Sequence, residues 1–197
     1  MKLLIATRNP HKLWEIREVF HLPELELVSL DAFPAAPEVV EDGETFEANA
    51  VKKARTLSEA TGLRTVADDS GLEVEALGGR PGVHSARYAG EPCSDDANNA
   101  KLLQALAAEP NRKACFRCVI ALARPGEETR VVEGRCQGWI ADAARGDGGF
   151  GYDPLFIPDG HEQTFGEMDP ADKNRISHRG RALREAARQW VDLFAGS

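Results

Sequence analysis

Two adjacent carboxylates, Asp68 and Asp69, follow a short apolar run and precede Ser70-Gly71. The run, Thr65-Val66-Ala67, is typical of a buried strand, and the Ser-Gly pair predicts that this strand ends in a turn. In α/β folds, ligands bind at the carboxyl ends of strands. Neighbouring acids repel each other unless a cation offsets the repulsion, and Mg²⁺ takes oxygen ligands together with substrate phosphates. The pair therefore indicates a Mg²⁺ site, although an ordinary polar turn is the simpler interpretation of these residues alone.

A second polar stretch, Thr7-Arg8-Asn9-Pro10-His11-Lys12, follows the apolar strand candidate Leu3-Leu4-Ile5-Ala6. Asn9 is a favourable N-cap and Pro10 a favourable first helical residue, so a helix is expected to begin here. Free N–H groups and the helix dipole attract anions, and Lys12 in the first turn opposes the dipole unless it faces a phosphate. The stretch lacks the glycine pattern of a Walker loop, and the alternative is a capped helix with a solvated lysine.

Glycines and aromatic residues alternate in the loop at residues 146–154. Glycine permits unusual backbone angles and close approach of a ligand, and Phe150 and Tyr152 could offer flat faces for stacking on a base. A mobile linker is the alternative. It is disfavoured because Leu155-Phe156-Ile157 resumes an apolar strand at once.

Basic residues cluster before the last predicted helix. Ser177 is a plausible N-cap, and His178 and Arg179 would then lie where the helix dipole disfavours cations, with Lys173 nearby. For His178 and Arg179 we expect a ligand-binding role rather than a solvated basic surface.

The elements that must position these residues follow from periodicity and turn signals. Strands are predicted at residues 3–6, 25–30, 65–67, 114–123, 129–133 and 155–157, and helices near 10–20, 45–60, 94–107 and 178–194. The helix at 45–60 carries an apolar face of Phe46, Ala50, Ala54 and Leu57. The acidic stretch before it, Glu41-Asp42-Gly43-Glu44, either stabilises the helix start or brings a metal ligand beside Asp69.

The composition excludes several classes of protein. The 197 residues are 42% hydrophobic and 28% charged with a net charge of −8, so a general nucleic-acid binder is not expected. No segment reaches membrane-spanning length and the first apolar run is short for a signal sequence, so a cytoplasmic location is predicted. Cys115 and Cys118 have the spacing of half a zinc site but lie in a predicted strand without a second pair, so reduced thiols are expected for all four cysteines.

Seven motifs in this order resemble the XTP/dITP diphosphatase family, the pyrophosphatases that remove inosine and xanthosine triphosphates. They are Thr7 to Lys12, Thr45-Phe46-Glu47-Ala48-Asn49-Ala50, Ala67-Asp68-Asp69-Ser70-Gly71-Leu72, Gly79-Arg80-Pro81-Gly82, Ser85-Ala86-Arg87-Tyr88, Gly149-Phe150-Gly151-Tyr152-Asp153-Pro154 and Ile176-Ser177-His178-Arg179. The resemblance covers nearly the whole chain and implies a single domain over residues 1–197. It implies an α/β fold in which two lobes share a long mixed β-sheet flanked by helices, with the nucleotide in a cleft between the lobes, and a homodimer that uses Mg²⁺.

The resemblance also implies roles for particular residues. Asp69 would be the proton acceptor and a metal ligand, and the second ligand would be Glu41, with Asp42 as the alternative. Substrate contacts would come from Thr7, Arg8, Asn9, Pro10, His11, Lys12, Ser70, Phe150, Gly151, Tyr152, Asp153, Lys173, His178 and Arg179. Relatives often have Glu-Glu-Asn where this chain has Glu47-Ala48-Asn49, which leaves that helix doubtful as a source of a metal ligand.

The implied reaction is attack of water on the α-phosphorus of ITP, dITP or XTP, which yields a nucleoside monophosphate and pyrophosphate. Asp68 or Asp69 would accept the proton, and Lys12, Lys53 and Lys173 would neutralise the triphosphate. His178 and Arg179, as donors, would favour a 6-oxo base over adenine. The alternatives are a pyrophosphatase for modified pyrimidine nucleotides and a nucleotide-binding regulator without catalysis. A nucleic-acid polymer and a membrane are not expected as partners.

Overall fold

The structure, a computed structural model, describes residues 1–20 and 25–191 of the chain. Within these ranges the strands are β1 (Lys2–Ile5), β2 (Glu26–Ser29), β3 (Arg64–Val74), β4 (Lys113–Ala123), β5 (Arg130–Ile140) and β6 (Phe156–Pro158). The α-helices are α1 (Pro10–Val19), α2 (Phe46–Thr61), α3 (Asp95–Ala105), α4 (Pro170–Ile176) and α5 (His178–Gln189). Short 3₁₀ helices cover Leu30–Ala32, Glu75–Leu77 and Gly82–Arg87.

The strands form one mixed sheet in the order β2-β1-β3-β4-β5-β6. β1 runs parallel to both β2 and β3, with Ile5 opposite Ser29 and Val66, whereas β5 and β6 are antiparallel. Parallel neighbours need a crossover connection, and α1 and α2 lie in the connections on either side of β2. The predicted α/β class with a mixed sheet and flanking helices is therefore confirmed.

The chain divides into two compact units. The first comprises Met1–Asp69, Cys118–Gly134 and Arg179–Ser197, and the second comprises Ser70–Arg117 and Arg135–His178. The core of the first unit includes Leu3, Ile5, Ile16, Phe20, Val66, Ile120, Leu183 and Trp190. The core of the second includes Leu72, Val74, Leu102, Phe116, Tyr152, Leu155, Phe156 and Phe165. That residues 1–197 act as a single domain remains a prediction.

The prediction that a strand ends at Asp69 is wrong. β3 continues through Asp68, Asp69, Ser70 and Gly71 as far as Val74. Turn preference is a local effect, and here it is outweighed by pairing of β3 between β1 and β4 and by burial of Leu72 and Val74. The two aspartates nevertheless lie just beyond the point where β1 ends, because β1 pairs with β3 only up to Val66.

The predicted starts of α1, α2 and α3 are confirmed to within about one residue, and the predicted cap Asn9 is confirmed for α1. Asn9 caps α1, Thr45 caps α2 and Ser94 caps α3, each through side-chain bonds to N–H groups of the first turn. The predicted apolar face of α2 is buried: Phe46, Ala50, Ala54 and Leu57 are at most 3% exposed.

Two elements differ from the prediction. α4 was not foreseen, although Asp169 caps it and Pro170 opens it, because its seven residues are too few to show a periodic apolar face. β5 extends to Ile140, well past the predicted end at residue 133, and alternates buried and exposed residues along that extension. The last helix begins at His178 as expected. Its predicted end near Phe194 lies outside the described residues.

Across the described part of the chain, no helix combines the length and the apolar character needed to cross a membrane.

Candidate active site

The N-terminal turn of α1 is shaped by its own side chains. Thr7 Oγ1 accepts the N–H of Asn9 (3.1 Å), and Asn9 Oδ1 accepts the N–H groups of His11 (2.9 Å) and Lys12 (3.3 Å). The prediction that these N–H groups are free for an anion is therefore wrong for His11 and Lys12, because the cap occupies them. The positive charges of Lys12 and the exposed Arg8 are what this turn offers to a phosphate.

Asp68 is held as a buried, ionised carboxylate. It is 1% exposed, and its Oδ2 lies 2.9 Å from Lys12 Nζ and 3.2 Å from both Nε and Nη2 of Arg179. Burial raises the pKa of Asp68, but the charges of Lys12, Arg179 and Lys53 outweigh burial and hold that pKa well below its ordinary value. A carboxylate so firmly ionised is a poor proton acceptor.

Arg179 is a buried partner of carboxylates. It is 2% exposed, its Nη1 donates to Glu15 Oε2 (2.5 Å), and its other two nitrogens donate to Asp68. Burial lowers the pKa of Arg179, but Glu15 and Asp68 more than compensate and raise it, so the guanidinium stays charged. All three nitrogens thus serve ion pairs within the first unit, which gives Arg179 a role in positioning Asp68.

Asp69 has the opposite electrostatic environment. It is 7% exposed, and its Oδ2 accepts a hydrogen bond from Asn49 Nδ2 (2.9 Å). Burial is the largest influence and raises the pKa of Asp69, and the negative charge of Glu41 raises it further, against the opposing effects of Asn49, Lys53 and Lys12. Of the two aspartates, Asp69 is therefore the one suited to accept a proton.

The acidic loop before α2 contributes one charge to this group. Glu41 Oε1 lies 2.5 Å from Lys53 Nζ. Burial lowers the pKa of Lys53, but Asp68 and Glu41 outweigh burial and raise it, so the ammonium persists. Asp42 instead pairs with Lys52 (2.6 Å) at the surface, where its side chain is 66% exposed. The loop therefore directs Glu41, and not Asp42, towards the charges around Asp69.

Asn49 joins the acidic loop to β3. Its Oδ1 accepts the N–H of Gly43 (2.7 Å) while its Nδ2 donates to Asp69, and it is 1% exposed. Asn49 belongs to one of the seven motifs, but the sequence did not indicate that it bonds to both Gly43 and Asp69. The sequence also did not predict a role for Glu15. Its only signal in the sequence is that Glu15 is an acidic residue on the same face of α1 as Lys12.

The donors around Asp69 fit a hard divalent cation. Glu41 and Asp69 are carboxylates close enough for the charge of one to raise the pKa of the other, a repulsion that a cation would relieve. Among the described residues no three His, Cys, Asp or Glu side chains form a metal-binding group. Two carboxylates suit Mg²⁺, which commonly binds one or two carboxylates and completes its shell with water and substrate phosphates.

The glycine-rich loop of the second unit is folded around Asp153. Asp153 Oδ2 accepts the N–H of Phe150 (2.8 Å) and lies 2.7 Å from Lys173 Nζ. Gly149 has a φ of +76°, and a Cβ there would lie 2.1 Å from Asp153 Oδ2, so only glycine fits. Lys173 Nζ also lies 5.0 Å from the centre of the Phe150 ring, within the range of a cation–π interaction.

The aromatic residues of this loop have different roles. Phe150 is half-buried, whereas Tyr152 is 3% exposed, packs in the second core and donates from its hydroxyl to the carbonyl of Ser85 (2.8 Å). The prediction of an open stacking face is therefore wrong for Tyr152. His178, 5% exposed, stacks on Phe116 with a centroid distance of 4.6 Å and an interplanar angle of 10°.

The predicted site residues thus form one group in each unit. In the first unit the structure brings together Lys12, Glu41, Lys53, Asp68, Asp69 and Arg179. In the second it brings together Phe150, Asp153 and Lys173. Ser70 lies half-buried on β3 directly after Asp69, and Pro10 and His11 are exposed at the start of α1.

Comparison with known proteins identifies the family. The Ham1 family model matches residues 3–189. A protein of Desulforamulus reducens named dITP/XTP pyrophosphatase is 53% identical over 188 residues, which cover 94% of each chain. One of the same name from Geobacillus kaustophilus is 49% identical over 197 residues, covering 99% of this chain and 97% of the relative.

Solved structures agree with the sequence relatives. The Ham1 protein of Staphylococcus aureus has a TM-score of 0.90 at 38% identity and covers 98% of this chain and 100% of its own. A HAM1 protein of Coxiella burnetii has a TM-score of 0.91 at 40% identity, with coverage of 98% and 99%. The order of motifs, the fold and these matches lead to one conclusion: the chain belongs to the Ham1 family.

Proposed function

We propose that the protein hydrolyses dITP, ITP and XTP to the nucleoside monophosphate and pyrophosphate, and so removes non-standard purine nucleotides from the nucleotide pool. The names of the relatives support this substrate class. The observation that carries the proposal is the contrast between the two aspartates. Asp69 has a raised pKa, whereas the neighbouring Asp68 is held ionised by Lys12 and Arg179.

We assign the proton transfer to Asp69. Water attacks the α-phosphorus, a bond forms from the water oxygen to phosphorus, and the bond from the α-phosphorus to the bridging oxygen breaks as pyrophosphate leaves. The proton of the attacking water passes to the carboxylate of Asp69, which Asn49 orients through its 2.9 Å hydrogen bond. Asp69 is preferred to Asp68 for this transfer because Asp68 is committed to its ion pairs with Lys12 and Arg179.

Lys12 and Lys53 supply positive charge to the phosphates. Charge in phosphoryl transfer spreads over the phosphate oxygens, so cations held in place do most of the catalysis. Lys12 is fixed by Asp68, and Lys53 by Glu41, at 2.9 and 2.5 Å. Thr7, Arg8 and Asn9 would shape or line the same phosphate-binding turn.

The cofactor we propose is Mg²⁺, held by Glu41 and Asp69. When bound, the ion would polarise the phosphate oxygens and lower the pKa of a bound water. We prefer Glu41 to Asp42 because Glu41 acts on the pKa of Asp69, whereas Asp42 is paired with Lys52 at the surface.

Residues of the second unit are proposed to contact the substrate, with the ring of Phe150 stacking on the base. Lys173 is fixed by Asp153 at 2.7 Å and supplies a further cation. His178 would donate to the 6-oxo group of hypoxanthine or xanthine. Adenine has an amino group there and would leave that donor unpaired, which costs about 1–3 kcal/mol. For Arg179 we propose a role through Asp68.

The proposal also covers the oligomeric state and the cellular location of the protein. We infer a homodimer in the cytoplasm, where the nucleotide pool is used. Sedimentation at micromolar concentration should give the mass of two chains, and cell fractionation should recover the protein with soluble cytoplasmic enzymes. A monomer at that concentration would contradict the assembly but not the chemistry.

The reaction is tested by incubating the protein with ITP and Mg²⁺ in ¹⁸O-labelled water. We expect IMP and pyrophosphate, with the label in IMP because attack is at the α-phosphorus, and little turnover of ATP or GTP. IDP with orthophosphate would move the attack to the γ-phosphorus and refute the proposal. Faster turnover of dUTP or dTTP would favour a pyrimidine enzyme, and tight ITP binding without turnover would favour a regulator.

A further inference from the structure

Helix α3 binds both backbone polar groups of Gly151 in the glycine-rich loop. Asp95 Oδ2 accepts the N–H of Gly151 (2.7 Å), and Asn99 Nδ2 donates to its carbonyl oxygen (3.0 Å). Asp95 and Asn99 are four residues apart and so lie on one face of the helix. All three residues belong to the second unit.

The residue type of Gly151 explains why α3 binds the loop through backbone groups. Gly151 has a φ of +62° and no side chain, so the chain can be held at this point only through its backbone. Its neighbours are held separately: the N–H of Phe150 by Asp153 and the hydroxyl of Tyr152 by Ser85. Among the described residues, the N–H and the carbonyl of Gly151 make their hydrogen bonds to α3 alone.

The position of Asn99 lowers the stability of the folded protein. It is 9% exposed, and its Oδ1 is buried without a hydrogen-bond partner among the described residues. An unpaired buried oxygen lowers stability, so packing alone does not explain an asparagine here. The amide is useful for the bond that its nitrogen makes to Gly151.

We propose that Asp95 and Asn99 are positioning residues that hold Gly151, and with it the ring of Phe150, in the conformation that receives the substrate base. The inference rests on the proposed function, because it takes Phe150 as the residue that stacks on the base. Neither residue touches the reacting phosphates in this scheme. Their loss should therefore weaken substrate binding more than it slows the chemical step.

Four variants test the inference. Asp95→Ala removes the acceptor, whereas Asp95→Asn keeps a side-chain oxygen there. Asp96→Ala is the matched control, because it removes the same charge from the same first turn of α3 and has no bond to Gly151. Asn99→Leu removes the donor together with the buried unpaired oxygen.

For each variant we would measure kcat and KM for ITP, amide hydrogen exchange of residues 150–153 in the free protein, and Tm. Asp95→Ala and Asn99→Leu are expected to raise KM by about threefold to tenfold, the effect of one lost hydrogen bond, with kcat changed by less than about threefold. The amide of Gly151 should exchange faster in Asp95→Ala. Asp95→Asn and Asp96→Ala should stay within about twofold of the wild type, and Asn99→Leu should keep its Tm within about 3 °C.

Several results would overturn the inference. One is that Asp95→Ala behaves like Asp96→Ala in KM and exchange while the wild type hydrolyses ITP, which leaves the proposed function intact. Another is a fall in Tm and kcat without a change in KM, which marks a merely structural role. A wild-type protein that does not hydrolyse ITP would refute the proposed function first, and the inference with it.

Discussion

Asp68 and Asp69 are adjacent and chemically identical, yet their surroundings give them different roles. Asp68 is surrounded by Lys12 and Arg179, and its pKa is lowered. Asp69 faces Glu41 and is buried, and its pKa is raised. The family resemblance assigned the proton acceptor to Asp69, but the residues alone left both aspartates open. Arg179 is 111 residues from Asp68 along the chain, and no local pattern connects them.

The first prediction concerns Asp69→Asn. The amide keeps the size of the side chain but cannot accept the proton, so we expect kcat for ITP to fall by about 10²- to 10⁴-fold. Steady-state kinetics with a circular dichroism spectrum measures this. Asp159→Asn, the same change at an exposed position, should have no effect. Near-normal turnover of Asp69→Asn would remove it as the proton acceptor.

The second prediction separates Glu41 from Asp42. Glu41→Gln should raise the Mg²⁺ concentration needed for half-maximal activity and weaken Mg²⁺ binding measured by calorimetry without substrate, because it removes a carboxylate ligand. Asp42→Asn should lose only the surface ion pair with Lys52, which contributes about 0–1 kcal/mol. The reverse result, with Mg²⁺ dependence changed only by Asp42→Asn, would move the ligand to Asp42.

At the scale of elements, capping and periodicity predicted where helices begin and which faces they bury. The start of α1 at Asn9-Pro10 and the buried face of α2 follow from residues within a turn or two of each other. The continuation of β3 through Ser70-Gly71 does not, because its neighbours in the sheet, β1 and β4, come from distant parts of the chain.

The third prediction concerns how α5 is held. Leu183 is fully buried in the first core, whereas Arg181 on the same helix is exposed. Leu183→Ala should lower the free energy of unfolding by about 2–5 kcal/mol, through lost burial and the cavity left behind. Arg181→Ala should change it by no more than about 1 kcal/mol, because solvent weakens the interactions of an exposed arginine. Urea denaturation measures both, and equal effects would contradict the packing described for α5.

At the scale of the whole molecule, the exposure of each cysteine shows whether solvent reaches that part of the chain. Cys93 is exposed, whereas Cys115, Cys118 and Cys136 are buried thiols. Burial raises the pKa of Cys118 to about 12. Cys115 and Cys118 are also three residues apart on β4, so their side chains point to opposite faces of the strand, which does not suit a shared zinc ion.

The fourth prediction is that Cys93 reacts first with a thiol reagent at pH 8 and that the buried cysteines react only when the protein unfolds. Because the folded pKa of Cys118 lies above its ordinary value of 9.0, its contribution to stability is present below pH 9 and is lost as the pH rises towards 12. Counting thiols with and without urea measures the exposure. Rapid reaction of more than one cysteine in the native protein, or stoichiometric zinc, would contradict it.

Net charge and the order of the motifs are properties of the whole molecule that the sequence alone provides. A net charge of −8 argued against a general nucleic-acid binder, and seven motifs in one order led to the family that the comparisons identify. Net charge and motif order depend only on the amino-acid sequence, and folding does not alter them.

The helix caps, the apolar faces, the mixed α/β class and the family were available from the sequence, because each depends on residues close in the chain or on motif order. The partners of the charged residues were not. Asn49 reaches Asp69 and Gly43, Arg179 reaches Glu15 and Asp68, and Asn99 reaches Gly151, over separations of up to 164 residues. Burial and Coulomb interactions depend on distance in space, so the opposite pKa shifts of two adjacent aspartates arise only when the folded chain brings those partners to them.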